Sequence, residues 1–137
     1  MNENIETVKS FYGALPESAG GDGVLSDAFE FLSPDIDWTI VGPSDVIPYA
    51  GHRKGHAGVR DYFAAHSKSE DVLAFGPREF FVQDDTVIGL GYYRARVKAT
   101  GGEFEFDWVH VFTFDGGRIS KFCEYTDTAA AVRAFQQ

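Results

Sequence analysis

At 137 residues with 44 % apolar side chains, the chain suits one packed domain, read here as spanning 1–137, and not a disordered one. A formal charge of −9 argues against nucleic acid and anionic membranes as partners, since phosphate binding needs a basic surface. The opening MNENIETVKSF has no basic region or apolar run of a signal peptide, no window approaches the ~18–20 apolar residues of a membrane span, and the single Cys123 excludes an internal disulfide and fits a reducing cytoplasm.

In chain order, Ile5, Val8, Phe11/Tyr12 and Leu15 recur at helical spacing and predict an amphipathic helix ending near Pro16. Glu17–Gly23 reads as a glycine-rich loop, and Val24, Leu25, Ala28, Phe29 and Leu32 as a short second helix stopping before Ser33-Pro34. Asp37–Val41 is a strand, rich in β-branched and aromatic side chains. Gly42–Gly55 has no periodicity, and a connection of that length suggests a lid or binding loop carrying Tyr49. A third helix spans His56–His66. Strands follow at Pro77–Gln83, Thr86–Lys98, Glu103–Phe114 and Arg118–Thr126, and Asp127 caps a last helical turn. Three N-terminal helices packed on a curved, mostly antiparallel sheet form an α+β cone, whose mouth is a natural small-molecule site.

Phe104, Phe106, Trp108, His110, Phe112 and Phe114 occupy alternate positions and therefore one face of a strand, an aromatic wall with one ionisable group. With a turn at Ala99–Gly102, Lys98, Arg96 and Arg94 face Glu103, Glu105 and Asp107, and Gly91 and Gly89 fall opposite His110 and Phe112. Those glycines either leave space beside the histidine or bend the strand. A three-residue turn at Asp115–Gly117 pairs Phe114 with Arg118, sets Trp108 opposite Glu124 and His110 opposite Phe122, and turns Glu124 inward. A two-residue turn would instead turn Cys123 and Tyr125 inward. Behind Asp107 the outer face becomes apolar at Val109 and Val111, which predicts a homodimer through the back of the sheet.

His110 and Glu124 are the candidate catalytic residues, because an imidazole beside a carboxylate can hold and move a proton. Their competing reading is a structural hydrogen-bonded pair. Trp38, Tyr93, Trp108 and Phe122 are the expected walls of the ligand site. Tyr49 is the expected lid, and Tyr12 offers a phenol to a bound carbonyl or is simply core. His52, His56 and Asp45 carry the spacing of a metal site, but Arg53, Lys54 and Gly55 between them oppose it, so no metal and no cofactor is expected. His66 reads as a helix C-terminal residue and the Arg94/Arg96/Lys98 series as a surface ion-pair ladder.

Gly55-His56-Ala57-Gly58-Val59-Arg60-Asp61-Tyr62-Phe63, Asp107–Phe114 and the run DGGRISKFCEYTDTAA resemble the SnoaL-like, ketosteroid-isomerase-like branch of the NTF2-like superfamily. The resemblance implies the cone fold and a cofactor-free isomerase, polyketide cyclase or dehydratase, though the same fold also hosts binders without turnover. By position, His110 falls where ketosteroid isomerases hold the neutral aspartic acid of their oxyanion hole, and Thr39 falls near their catalytic base, which it cannot replace. Polyketide cyclases place an acid on the last strand near a histidine on the preceding one, which Glu124 and His110 match. The implied activity is binding of a small, largely apolar, carbonyl- or hydroxyl-bearing molecule, with Glu124 removing a proton beside the carbonyl and His110 stabilising the enolate. The alternatives are a non-catalytic binding module and a dimerisation domain with a filled cone.

Overall fold

The computed structural model describes residues 2–15 and 27–137. The expected loop at Glu17–Gly23 lies outside the described residues, as do Val24 and Leu25 of the expected second helix. Helix α1 (Glu3–Ala14) starts on Asn2, whose side chain accepts from the backbone N–H groups of Asn4 and Ile5, and it buries Val8 and Phe11. It stops at Leu15, whose extended backbone is what a residue preceding proline adopts.

Residues 27–29 are helical, and strand β1 (Leu32–Ile40) begins at Leu32, earlier than expected and through Ser33-Pro34. The proline is tolerated because a register irregularity between Leu32 and Asp37 leaves that stretch of the ladder unpaired. The expected lid also contains regular structure: β2 (Gly51–Lys54) pairs antiparallel with β1. Helix α2 (Gly55–Ser69) follows, with Val59, Tyr62 and His66 buried along one face. Strands β3 (Glu70–Gln83), β4 (Thr86–Val97), β5 (Glu103–Asp115) and β6 (Arg118–Tyr125) form the meander, and α3 (Thr128–Phe135) closes the chain on an Asp127 cap. Four helical stretches are thus seen among the described residues, and β1 and β2 precede α2, so three helices do not simply lead into the sheet.

The six strands form one sheet in the order β2-β1-β6-β5-β4-β3, antiparallel except where β1 runs parallel to β6. Irregularities within β3 and between β5 and β6 add twist and curl the sheet around α1 and α2.

The expected β4–β5 register is off by two residues with every side chain on its expected face, whereas in the last hairpin the offset is one residue beside the turn, where Ile119 and not Arg118 lies opposite Phe114 and points inward, and two residues beyond it. Arg96 lies opposite Glu103, Arg94 opposite Glu105, Gly91 opposite Trp108 and Gly89 opposite His110. Glu103 accepts from both Arg94 and Arg96, at 2.9 and 3.1 Å, while Lys98 turns to the Ser67 carbonyl. In the last hairpin Asp115 pairs with Arg118 across Gly116-Gly117, a two-residue turn. An irregularity between Thr113 and Phe114 then inserts Ser120 as an extra residue on β6. That restores the alternation, so Glu124 and Phe122 point inward after all, with His110 directly opposite Glu124 and Trp108 no longer so.

Candidate active site

A cavity of about 440 Å³ opens between α1, α2 and the concave face of the sheet, within the size range of small-ligand sites. Phe11, Trp38, Phe63, Phe106 and Phe122 form apolar walls, with half-exposed Leu73 and Phe75 on its rim. Of the expected site residues, Tyr12, Trp38, Tyr49, Tyr93, His110, Phe122 and Glu124 all line it. Trp108 does not. It lies behind His110, 1 % exposed, between that ring and Phe75.

One end of the cavity carries a hydrogen-bonded chain. The Tyr12 hydroxyl lies 2.7 Å from His110 Nδ1, and His110 Nε2 lies 2.7 Å from Glu124 Oε2. Burial, reinforced by the charge of Glu124, pushes the Tyr12 phenol well above its ordinary value, so it keeps its proton, and with the imidazole in its neutral form it donates to Nδ1. Nε2–H then donates to the Glu124 carboxylate. Trp108 stacks on the imidazole at 3.9 Å and 13°, which fixes the ring plane. Among the described residues nothing donates to the second Glu124 oxygen, Oε1, and the carboxylate lines the cavity with 16 % of its side chain exposed.

The two glycines of β4 make this arrangement possible, each in its own way. A Cβ on Gly89 would sit 3.1 Å from the Tyr12 hydroxyl, so its absence gives the phenol room to reach Nδ1. A Cβ on Gly91 would sit 2.0 Å from Trp108 Cζ2, so the indole lies flat across the glycine. The space expected beside the histidine is therefore filled by the two rings that hold it.

His110 differs from expectation in one respect. Both ring nitrogens are committed to protein partners, so direct donation to a ligand would require breaking one of these bonds. A donor missed in the sequence is better placed. Tyr62 lines the cavity from α2, and its hydroxyl makes no hydrogen bond to another described residue. Burial, then the charges of Glu124 and Glu70, push that phenol well up, so it remains an O–H.

Also missed were Glu70 and its partners. Glu70 opens β3 with a fully buried side chain and accepts from the hydroxyls of Tyr49 and Tyr93, while His66 Nε2 lies 2.8 Å from the Tyr93 oxygen. His66 does lie in the last turn of α2, as expected, but its ring serves this cluster. Tyr49 is a fixed wall held by Glu70 and not a lid, and its backbone carbonyl accepts from Arg53 at 2.7 Å. The metal-like trio is scattered: His52 pairs with Asp37 at 3.0 Å, His56 bonds the Leu32 carbonyl and stacks on Phe29, and Asp45 is exposed. Among the described residues no group of three or more His, Cys, Asp or Glu side chains is placed to hold a metal ion, and no helix is long and apolar enough to cross a membrane.

Four buried phenols, Tyr12, Tyr49, Tyr62 and Tyr93, are raised chiefly by burial. Their folded values exceed the unfolded value of about 10, so the stability they contribute is complete below that pH and is lost as pH rises above it. Alkaline titration followed by phenolate absorbance should show Tyr92 and Tyr125 ionising in the folded protein and the other four only together with unfolding. Six phenols ionising independently while the fold persists would contradict this burial.

The SnoaL-like domain family matches residues 11–122, most of the chain. The chain belongs to that family. An NTF2-like protein from Burkholderia xenovorans LB400 is 32 % identical, with a TM-score of 0.83 over 97 % of this chain and 95 % of that one. A second NTF2-like protein, from Burkholderia thailandensis E264, is 29 % identical with a TM-score of 0.83 and full coverage of both chains. A protein from Mesorhizobium loti, provisionally termed a SnoaL-like polyketide cyclase, shares the fold at 21 % identity and a TM-score of 0.68, covering 88 % of this chain and 97 % of that one. No curated protein matches the sequence significantly. This SnoaL-like chain thus has the family's curled mixed sheet and a cavity lined by His110 and Glu124.

Proposed function

We propose that this SnoaL-like protein binds a small, largely apolar ketone in its cavity and moves a proton at the carbon beside the carbonyl, without a cofactor. The observation that carries this reading is the Tyr12–His110–Glu124 chain, which ends inside an aromatic cavity in a carboxylate oxygen with no donor among the described residues. Glu124 Oε1 takes the α-proton, and the electron pair left on carbon moves onto the carbonyl oxygen. The Tyr62 hydroxyl donates to that enolate oxygen, and His110 holds Glu124 in place and stabilises its charge in the resting state. Return of the proton to another carbon gives isomerisation. Attack of the enolate on a second carbonyl gives cyclisation, and loss of a β-hydroxyl gives dehydration. All three share the first step. A panel of enolisable cyclic ketones incubated with the protein in D₂O tests it by NMR: deuterium at the α-carbon of bound ketones is the expected result. Ketones that bind without exchange would leave the cavity as that of a non-catalytic binder.

A homodimer through the back of the sheet goes with this reading. Phe81, Ile88, Val111 and Cys123 form one row across four adjacent strands of the outer face, and Leu90, Val109 and Tyr125 form the next. Phe81 and Tyr125 are about half exposed in the single chain, at 52 % and 50 %. The second row ends on β3 in Glu79, opposite Leu90, and two copies of the apolar patch inside it can cover each other while the acidic remainder of each surface stays in water. Sedimentation should give twice the 15.1 kDa chain mass, and Val111→Lys should give the single chain with its cavity intact. A monomeric wild type would contradict the dimer. The lone, half-buried Cys123 and the acidic surface fit a cytoplasmic setting.

A further inference from the structure

A second polar group lines the cavity away from the Tyr12–His110–Glu124 chain. Tyr93 on β4 pairs with Phe106, four residues along β5 from His110, so the two polar groups are offset by roughly 13 Å of strand. Tyr49, His66 and Tyr93 line the same cavity as Tyr12, His110 and Glu124. Glu70 behind them accepts from Tyr49 at one oxygen and from Tyr93 at the other. A phenol has a single proton, and both of these phenols give theirs to Glu70. Tyr93 accepts in turn from His66 Nε2, whereas the Tyr49 oxygen accepts from no other described side chain. This end of the cavity therefore offers lone pairs backed by a buried carboxylate. The Tyr49 oxygen itself suits a ligand hydroxyl and repels a carbonyl, carboxylate or phosphate oxygen.

We infer that Tyr49 and Tyr93, held by Glu70 and His66, form a second recognition site for a hydroxyl on the ligand. The substrate class is then a hydroxy ketone with an apolar ring body, its reacting carbon at Glu124 and its hydroxyl at Tyr49. The ketone half of this statement rests on the proposed proton-transfer reading, and the hydroxyl half does not. A buried carboxylate that lacks Lys or Arg and rests on two phenols, with His66 Nε2 3.3 Å from its Oε1, is costly to build, and a fully apolar wall would serve a purely apolar ligand better.

Three probes of matched shape separate the two ends: 4-phenylcyclohexanone, 4-(4-hydroxyphenyl)cyclohexanone and 4-cyclohexylphenol, with affinities measured by calorimetry. The hydroxy ketone should bind the wild-type protein up to about tenfold more tightly than the plain ketone, the worth of one good hydrogen bond. Tyr49→Phe should erase that preference, so that the hydroxy ketone binds the variant no more tightly than the plain ketone does, and Glu124→Gln should retain it. The inference is overturned if the hydroxyl adds nothing in the wild-type comparison, which needs no variant, or if the gain survives both Tyr49→Phe and Glu70→Gln. Tyr49-dependent binding of 4-cyclohexylphenol, with no ketone bound or exchanged, would uphold the hydroxyl site and sink the proton-transfer reading. Ketone exchange with no hydroxyl preference would do the reverse. Failure of all three probes to bind would overturn both.

Discussion

Glu124→Gln is expected to leave ketone affinity nearly unchanged and to slow α-proton exchange by about 10²–10⁴-fold, the usual worth of a positioned general base. Glutamine matches glutamate in size, and its amide oxygen can still accept from His110 Nε2, so the imidazole, the Trp108 stack and the cavity walls keep their places. What disappears is the basic oxygen facing the cavity. An interaction made only as the proton moves affects turnover and not binding, which is why affinity and exchange should separate in this variant. Isothermal calorimetry and NMR exchange on the same protein sample check both halves. Equal loss of affinity and exchange would mean that Glu124 is chiefly a binding group.

Gly91→Ala should be the most destabilising single-methyl change in the sheet, costing about 3 kcal/mol or more and lowering Tm by roughly 10 °C. The added Cβ would lie 2.0 Å from Trp108 Cζ2 and 2.5 Å from the Gly76 carbonyl oxygen. Side chains can rotate away from an intruding methyl, but a paired backbone cannot. The indole is pinned as well, with Nε1 donating to the Tyr92 carbonyl at 3.1 Å and its faces between Phe75 and His110. Gly89→Ala is the informative control. Its nearest neighbours would be the Tyr12 hydroxyl at 3.1 Å and the Phe80 ring at 3.3 Å, both on side chains that can give. It should fold, and should weaken the Tyr12–His110 bond and the exchange rate. Thermal denaturation of the two variants decides the matter: comparable Tm values would contradict the packing described for Trp108.

The aromatic face of β5 was legible because strand alternation depends only on parity. His110 and Glu124 were legible for the same reason, although the β4–β5 hairpin is offset by two residues and the last hairpin by two beyond its bulge. Acidic side chains recur at 103, 105 and 107, so the ion-pair ladder with Arg94 and Arg96 looks equally good after a slip of two, and charge could not choose between them. At the last turn the alternation was kept by the extra residue Ser120, a bulge that nothing in the glycine pair announces. The Glu70 cluster was not legible. Glu70 follows the C-terminus of α2 in a polar stretch, Ser67–Asp71, that reads as a solvated turn, and its burial depends on Tyr49 arriving from a segment without periodicity. One signal was available: His66 continues the buried Val59–Tyr62 face, and Glu70 lies one further turn along it. The early start of β1 was hidden by Pro34, which composition reads as a stop and the structure accommodates at an irregular point of the ladder.

The central claim is that a single fixed carboxylate, Glu124, takes a proton from a ketone held in one orientation. The stereochemistry of deuterium entry into 4-phenylcyclohexanone tests that most directly, because a fixed base reaches one face of the bound ring while base in solution reaches both. The prediction is that wild-type protein in D₂O places the first deuterium selectively at one of the two α-hydrogens of a methylene, read by NMR coupling, and that this selective exchange disappears in Glu124→Gln. Non-selective exchange that persists in the variant, or no exchange from ketone shown to be bound, would contradict it.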